Sequence, residues 1–496
     1  MTKIKLTIGA TLVVALVVLG IGQSKLQEPS VAAANDVMAP HFLVDPYWPK
    51  PLPNMWAMGN TIGVDVDERD HVFVVHRNDA SQFGGNTEIG LQGGVAECCT
   101  PAPPIIEFDA EGNVVNAFGG PVEGAPYVWP ASNHGIEIAP NGDIWIGGNG
   151  GGDSHVLVFT RDGQYIRTIG VQGEGRDSNS ETHFAMVAEI SIDAEAGEAY
   201  FADGYRNRRV AVVDVATGAF KRYWGAYGNT PDDDADVTYT PGVAGPQQFR
   251  GPVHCAEPSN DGLVYVCDRG ADRVQVFRKD GTYVREVVYN PATLNQGSTW
   301  DIAFSRDEEQ KYIYLADGQN FKISVIDRES MEVLYTFGQG GRQPGTFYAP
   351  HSIATDSSGN VYTTETYEGS RVQKFVNQGI RPVTVRDRAP VWPAVLAKNN
   401  RLTFCRAAFE LRPVSLSSKT MPLMSLPFGL RRDMASVYSL DNKSSILAPV
   451  FGAGSKMNLR AGVWRKSNTF DKRERKKPLA LISSGSTIIC SDSATV

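Results

Sequence analysis

Three of the eight histidines occupy equivalent positions of a repeated sequence pattern. They are His134, His254 and His351, and each lies two residues before the first apolar position of a short alternating segment. Three imidazoles that converge on one point can hold zinc and leave a fourth coordination position open for water or substrate. The spacing therefore predicts a metal site for Lewis-acid chemistry, with zinc favoured because no carboxylate or thiolate shares the register.

The same register carries other residues in the remaining copies of the pattern. Ile62, Ala188 and Trp300 stand there, so histidines alternate with non-ligating side chains. In a closed ring of six units, alternate positions are about 120° apart at one depth. A lone channel histidine is more often a hydrogen-bonded lining residue, but this alternation favours one shared site.

The elements that must position these histidines are six copies of a unit of about forty residues. Each copy shows period-two alternation bounded by Gly, Asp or Asn turns, which predicts four short strands. The copies begin with TIGVDVDERD (61–70), NHGIEIAPNG (133–142), VAEISIDAEA (187–196), VHCAEPSNDG (253–262), WDIAFSRDEE (300–309) and PHSIATDSSG (350–359). The pattern predicts an all-β fold, a six-bladed propeller with four-stranded blades, over residues 42–390.

Two details of the repeat bear on how the ring closes. The sixth copy shows no clear fourth strand, and the segment FLVDPYWP (42–49) is predicted to supply it. The first copy is lengthened by a glycine-rich insertion over 80–104 that carries Cys98 and Cys99. Cys255 and Cys267 fall in neighbouring predicted strands, where a local disulfide and two buried thiols are both open.

Two loop residues could complete a reactive site. Arg77 and Tyr205 follow the predicted second strands of copies one and three, and such loops surround the channel mouth of a propeller. An arginine there could bind a carboxylate with two hydrogen bonds, and a tyrosine beside a metal can act as a general base. A surface ion pair and simple packing are the structural alternatives.

The chain ends differ from the repeats. Residues 1–34 begin with two lysines and an apolar run, which predicts a signal peptide or membrane anchor and hence export. Residues 395–496 lack blade turns and are predicted to be a basic, disordered tail. The net charge is −8 although residues 396–496 hold 17 Lys and Arg against 6 Asp and Glu, so the repeats are acidic and nucleic acid is excluded as their partner.

Several motifs in this order resemble the peptidyl-α-hydroxyglycine α-amidating lyase family. They are HRND (76–79), NHGIEI (133–138), DGYRNRR (203–209), VHCAEP (253–258) and PHSIA (350–354). The resemblance spans residues 45–380 and implies a six-bladed NHL-type propeller. It also implies cleavage of a C-terminal α-hydroxyglycine to a peptide amide and glyoxylate, so the expected partner is a small molecule or a peptide C-terminus.

The resemblance assigns roles to individual residues. His134, His254 and His351 take the places of the zinc ligands, Arg77 that of the active-site arginine, and Tyr205 that of the proposed catalytic base. A structural calcium in the family would take backbone ligands near Val64 and Ile136 here. Ser352 stands where the family has a calcium-binding aspartate, and a serine hydroxyl is the poorer ligand, which argues against calcium.

Two other functions fit part of the pattern. A lactonase-type propeller hydrolase holds calcium through Glu, Asn and Asp side chains, whereas this register carries histidines. A non-catalytic NHL scaffold that binds partners on its rim would explain the repeat but not the histidines. Contact with a membrane is expected only through the N-terminal segment.

Overall fold

The computed structural model describes residues 37–78, 97–384, 387, 436–441 and 444–449. The predicted signal or anchor segment 1–34, most of the insertion 80–104 and most of the predicted tail 395–496 lie outside the described residues. Within the described part of the chain, no helix is long and apolar enough to cross a membrane. The chain divides into two compact units, Met1–Val391 and Trp392–Val496.

The described residues of the first unit form six four-stranded antiparallel sheets, which are the blades. Two further strands, β2 and β5, pair with each other in parallel. The strands up to the end of blade 3 are β1 (Met38–Asp45), β2 (Trp56–Ala57), β3 (Thr61–Val66), β4 (Val72–His76), β5 (Thr100–Pro101), β6 (Ile105–Phe108), β7 (Val114–Phe118), β8 (Asn133–Ile138), β9 (Ile144–Gly148), β10 (His155–Phe159), β11 (Tyr165–Gly170), β12 (Glu189–Asp193), β13 (Glu198–Asp203), β14 (Arg209–Asp214) and β15 (Phe220–Trp224).

Blades 4, 5 and 6 repeat the arrangement. Their strands are β16 (Val253–Pro258), β17 (Leu263–Asp268), β18 (Arg273–Arg278), β19 (Tyr283–Val288), β20 (Asp301–Phe304), β21 (Tyr312–Asp317), β22 (Lys322–Asp327), β23 (Val333–Phe337), β24 (Pro350–Thr355), β25 (Val361–Glu365) and β26 (Arg371–Pro382). Three-residue 3-10 turns occur at Pro53–Met55, Ala226–Gly228 and Arg269–Ala271. Blade 1 consists of β3, β4, β6 and β7, blade 2 of β8 to β11, blade 3 of β12 to β15, blade 4 of β16 to β19, blade 5 of β20 to β23, and blade 6 of β24, β25, β26 and β1. The predicted all-β six-bladed propeller with four-stranded blades is confirmed.

The hydrophobic core lies between the blades. The described residues form six buried clusters, and each joins the apolar face of one blade to that of the next. The cluster between the first and last blades packs Val64 and Val74 of blade 1 against Tyr362 of blade 6. Successive side chains of a strand point to opposite faces of the blade, so alternate residues pack against the blade on one side or on the other. The period of two in the sequence reflects this packing.

Blade 6 is closed by the N-terminal strand, as the sequence predicted. β1 pairs antiparallel with β26, with Leu43 opposite Val376. The hydroxyl of Tyr335 in blade 5 donates to Pro40 O at 2.5 Å, which ties the same strand to its other neighbour. The strand begins at Met38, four residues before the predicted segment, because β26 extends to Pro382, which pairs with Met38.

The described residues contain two disulfides and, in the second unit, one hairpin. Cys255 and Cys267, directly opposite each other on β16 and β17, are joined by a disulfide, and Cys98 is joined to Cys99. In the second unit the described residues form one hairpin of β27 (Ser436–Asp441) and β28 (Ser444–Pro449). The expected disorder of the tail stays a prediction.

Candidate metal centre

The structure brings the three predicted histidines together on the propeller axis. Each is the second residue of the innermost strand of its blade, β8, β16 and β24. Their ring centroids are 4.8 to 5.2 Å apart, and one nitrogen from each ring lies within 4.8 Å of the other two. His134, His254 and His351 are all buried.

A break in strand pairing accompanies each histidine. The register shifts between Asn133 and Ile136, between Val253 and Cys255, and between Pro350 and Ile353. Such bulges change the direction of a side chain relative to the regular ladder. The bulges therefore account for the direction of the three imidazoles, which line the channel.

Each imidazole is hydrogen-bonded to a backbone carbonyl of the blade that follows its own. Nδ1 of His134 donates to Ala188 O at 2.6 Å, Nδ1 of His254 to Trp300 O at 2.5 Å, and Nδ1 of His351 to Ile62 O at 2.7 Å. A carbonyl oxygen only accepts hydrogen bonds, so Nδ1 carries the proton and Nε2 presents its lone pair. The three acceptors are the residues that occupy the histidine register in blades 3, 5 and 1.

Burial keeps the three rings neutral. It lowers the pKa of His134 and of His254 well below the usual value, and it lowers the pKa of His351 to about 3. The nearby cations Arg77 and Arg269 act in the same direction. Neutral imidazoles with Nε2 lone pairs directed at one point are the form that binds zinc.

Tyr205 lies against the imidazole nitrogens. It follows β13 after one glycine, and its hydroxyl oxygen is 2.8 Å from Nε2 of His134 and 3.1 Å from Nε2 of His254. The Cβ that Gly204 lacks would overlap the backbone of Val253, so only glycine allows the loop to approach blade 4 this closely. The predicted base is thus within hydrogen-bonding distance of the predicted ligands.

Arg77 reaches the same side of the histidines. It directly follows β4, and its guanidinium donates to Asn149 Oδ1 at 2.9 Å and to Asn133 O at 3.4 Å. Burial lowers the pKa of Arg77, and the neighbouring Tyr205 and Tyr367 oppose that shift. An arginine guanidinium stays charged in proteins, so a cation is fixed beside the site.

A second arginine was missed from the sequence. Arg269 stacks on the ring of Trp300, with 4.7 Å between its Cζ and the ring centroid, and its Nη1 donates to the hydroxyl of Tyr205 at 3.2 Å. It directly follows β17, the second strand of blade 4, just as Arg77 directly follows β4 in blade 1. Applying the Arg77 register to copy four would have found it.

Below the histidines, the channel opens into a cavity of about 260 Å³ lined by the innermost strands. Its lining includes five carboxyl groups in other registers, which sequence reasoning also missed: Asp65, Glu137, Glu189, Glu257 and Asp301. Four of them accept a backbone N–H from the next blade, on Ile138, Ile192, Ala256 and Ile353 at 2.7 to 2.9 Å. Burial is the main cause that raises the pKa of all five.

The residues considered for calcium lie in this cavity wall. Val64, Ile136 and Ser352 all line it. The Ser352 hydroxyl accepts the N–H of Val64 at 3.4 Å and hydrogen-bonds to Asp301, where it lowers the pKa of that carboxyl group against the effect of burial. The hydroxyl therefore already has partners on both sides.

Comparison with known proteins agrees with this architecture. Residues 347–375 match the NHL repeat family. The chain is 22% identical to peptidyl-glycine alpha-amidating monooxygenase A of Xenopus laevis over 72% of this chain and 35% of that protein, so it spans about a third of that relative. It is also 22% identical to a probable peptidyl-α-hydroxyglycine α-amidating lyase of Caenorhabditis elegans over 64% of this chain and 82% of that protein.

A third relative has a name that refers only to the repeat. NHL repeat-containing protein 3 of Mus musculus is 23% identical over 68% of this chain and 84% of its own length. The described chain is thus a six-bladed β-propeller with an NHL repeat in its last blade, distantly similar to amidating lyases and to NHL repeat proteins.

Proposed function

We propose that this protein is an exported zinc-dependent lyase that cleaves the N–Cα bond of a C-terminal α-hydroxyglycine and releases an amide and glyoxylate. The observation that carries the proposal is the hydrogen-bonding distance between the Tyr205 hydroxyl and Nε2 of His134 and His254, two of the three buried histidines whose ring nitrogens lie within 4.8 Å of one another. The names of two relatives, which refer to α-amidation, support the same reaction class.

His134, His254 and His351 would hold the zinc through their Nε2 atoms. The donor set fits, because each Nδ1 is already bonded to a carbonyl oxygen and each ring is neutral. A bound zinc ion would supply Lewis acidity towards the substrate hydroxyl. Calcium at Val64 and Ile136 is left out of the proposal, because Ser352 supplies no carboxylate there.

The protein side chains account for the proton and the carboxylate. Tyr205 takes the proton of the substrate hydroxyl, and Arg269 stabilises the tyrosyl oxygen through its hydrogen bond. The C–O bond becomes the carbonyl of glyoxylate as the N–Cα bond breaks. The bonding electron pair stays on the amide nitrogen, which takes up the proton, while Arg77 binds the carboxylate of the departing glyoxylate.

The proposed partner is a small molecule or the C-terminus of a peptide, and the proposed location, periplasmic or extracellular, follows from the signal peptide or anchor predicted for residues 1–34. The carboxyl groups of the cavity do not favour a lactonase-type site, since four of them already accept backbone N–H groups between blades. A non-catalytic NHL scaffold, the other alternative, would not require a bound metal ion. Metal binding and product release therefore separate the candidates.

Metal analysis of the purified protein tests the first half of the proposal. We expect one zinc per chain, lost when His134, His254 and His351 are all replaced by alanine and kept in the control His183→Ala, which alters a loop histidine. Zinc that survives the triple replacement, or a wild-type protein without stoichiometric metal, would refute the site.

Glyoxylate release from an α-hydroxyglycine peptide tests the second half. Tyr205→Phe removes the base and should lower kcat by about 10² to 10⁴, the usual contribution of general base catalysis. Arg77→Ala should lower kcat/KM by about 10² or more, because a charged partner of the carboxylate is lost. A zinc-loaded wild-type protein that releases no glyoxylate would overturn the reaction while leaving the metal site.

A further inference from the structure

Tyr367 lies in the blade opposite that of Tyr205. Both lie two residues after the second strand of their blade, β25 in blade 6 and β13 in blade 3. Blades 3 and 6 are opposite each other in a ring of six. A tyrosine at this offset therefore stands at the channel mouth on each side of the histidines.

Tyr367 is held in an unusual conformation. Its φ is +52°, in the left-handed region that non-glycine residues seldom adopt, and Ser370 Oγ donates to its carbonyl oxygen at 2.8 Å. Its hydroxyl pairs with the side-chain amide of Gln296 at 2.7 and 3.0 Å. Strain of this kind persists where the surroundings fix it, and it clusters at binding sites.

The partner of Tyr367 is itself tied to the reactive side of the channel. Gln296 precedes Gly297, whose φ is +78° and whose missing Cβ would overlap the carbonyl oxygen of Arg269. Nε1 of Trp300, the ring on which Arg269 stacks, donates to Gly297 O at 2.8 Å. The loop that orients Tyr367 therefore packs on the arginine that contacts Tyr205.

On the other side, Tyr367 is near Arg77. Its phenol is among the groups that oppose the lowering of the Arg77 pKa, and Tyr205 is another. Arg77 thus lies in the electrostatic reach of both tyrosines. Tyr367 as a whole residue is nevertheless 41% exposed, so part of it remains accessible at the edge of the site.

We propose that Tyr367, oriented by Gln296, is the subsite for the group on the amide side of the substrate and gives the enzyme a preference for aromatic acyl groups there. This inference rests on the proposed function. A carboxylate on Arg77 and a hydroxyl at Tyr205 leave the acyl group to extend towards the rim. A tyrosine ring offers a large contact area there with little loss of side-chain freedom.

Equilibrium binding of two unreactive probes tests the subsite by calorimetry on the zinc-loaded full chain. N-benzoylglycine and N-acetylglycine share the carboxylate and the amide and differ in the acyl group. We expect the wild type to bind the benzoyl probe more tightly, and Tyr367→Ala to weaken that probe by about tenfold, the size of one aromatic contact, with the acetyl probe changed by less than about twofold.

Three further variants test which parts of Tyr367 and Gln296 determine the preference. Tyr367→Phe keeps the ring and should retain most of the preference, whereas Gln296→Ala should lower it by about threefold, as expected for one lost hydrogen bond. Tyr47→Ala, which removes a tyrosine that is 77% exposed beyond the closing strand, should match the wild type. Thermal melting of each variant checks that the fold is intact.

Two outcomes would overturn the inference: no preference in the wild type, or equal weakening of both probes by Tyr367→Ala. Glyoxylate release from the two α-hydroxylated probes, measured on the same protein, separates this result from the reaction itself. A protein with a Tyr367-dependent preference that releases no glyoxylate would retain the subsite and lose the proposed reaction.

Discussion

At position 352 a hydroxyl group occupies the channel wall between Val64 and Asp301. A calcium ion needs six to eight oxygen ligands, usually with several carboxylates. Asp301 is nearby, but it already accepts the backbone N–H groups of Ile302 and Ile353. At this position the wild-type chain therefore has a hydrogen-bonded wall in place of a carboxylate ligand.

Ser352→Asp should create a dependence on calcium. The new carboxylate would lie beside Asp301, so we expect the variant to melt lower than the wild type in EDTA, with recovery of at least part of the difference in about 1 mM calcium. The wild type and the control Ser352→Ala should show no calcium-dependent shift. A calcium-dependent rise in the wild-type melting temperature would contradict this prediction.

The residue types and their register were sufficient to predict which histidines meet. They did not reveal the acceptors behind them, because Ile62, Ala188 and Trp300 contribute backbone carbonyl oxygens, and a carbonyl has no signature in the side-chain sequence. Arg269 is a different case. Its position relative to β17 was available from the repeat, so a register already established for one loop could have been applied to all six.

At the scale of elements, β1 is the strand on which closure depends. It supplies the fourth strand of blade 6, its Ala39 is fully buried, and Tyr312 and Tyr335 of blade 5 donate to its carbonyl groups. The missing fourth strand of the sixth copy led to this segment and located the strand to within four residues. Its start could not be predicted, since it depends on the length of β26, which is twelve residues and exceeds that of every other described strand.

Deletion of residues 36–50 should lower the melting temperature by about 10 °C or more, because the closing strand, its ladder with β26 and two cross-blade hydrogen bonds are lost together. The control Leu43→Ser changes a β1 side chain that is 62% exposed and should melt within about 2 °C of the wild type. A deletion variant that melts like the full chain would show that blade 6 is stable with three strands.

At the scale of the whole molecule, the five carboxyl groups that line the channel make the free energy of unfolding depend on pH. Burial and the neighbouring Asp301 raise the pKa of Glu257 to about 8. Above the usual pKa of a glutamate, the folded state keeps a proton that the unfolded chain has released, so stability falls with rising pH until the folded group also ionises near pH 8. His76 and His351, whose pKa values burial lowers to about 4 and about 3, act the opposite way but only below the usual histidine range.

The free energy of unfolding of the metal-free protein should therefore fall from about pH 6.5, where the opposing effect of the histidines ends, and the part of the fall due to Glu257 should end near pH 8. Glu257→Gln should reduce the fall, because the amide does not titrate, and some decline should persist through the other four carboxyl groups. The exposed Glu123→Gln is the control and should follow the wild type. Urea unfolding at a series of pH values measures the slope, and a Glu257→Gln slope equal to that of the wild type would contradict the assignment.

The pairing of each channel imidazole with a carbonyl of the following blade has a consequence for the number of blades. Even-numbered blades supply the imidazoles and odd-numbered blades supply the carbonyl acceptors, so the smallest unit that repeats around the axis is a pair of blades. Only a ring with an even count can close without placing two like blades side by side. Gain or loss of a single blade, an ordinary variation among propellers, would place two histidine-bearing blades or two acceptor blades side by side, whereas a change by two would preserve the alternation.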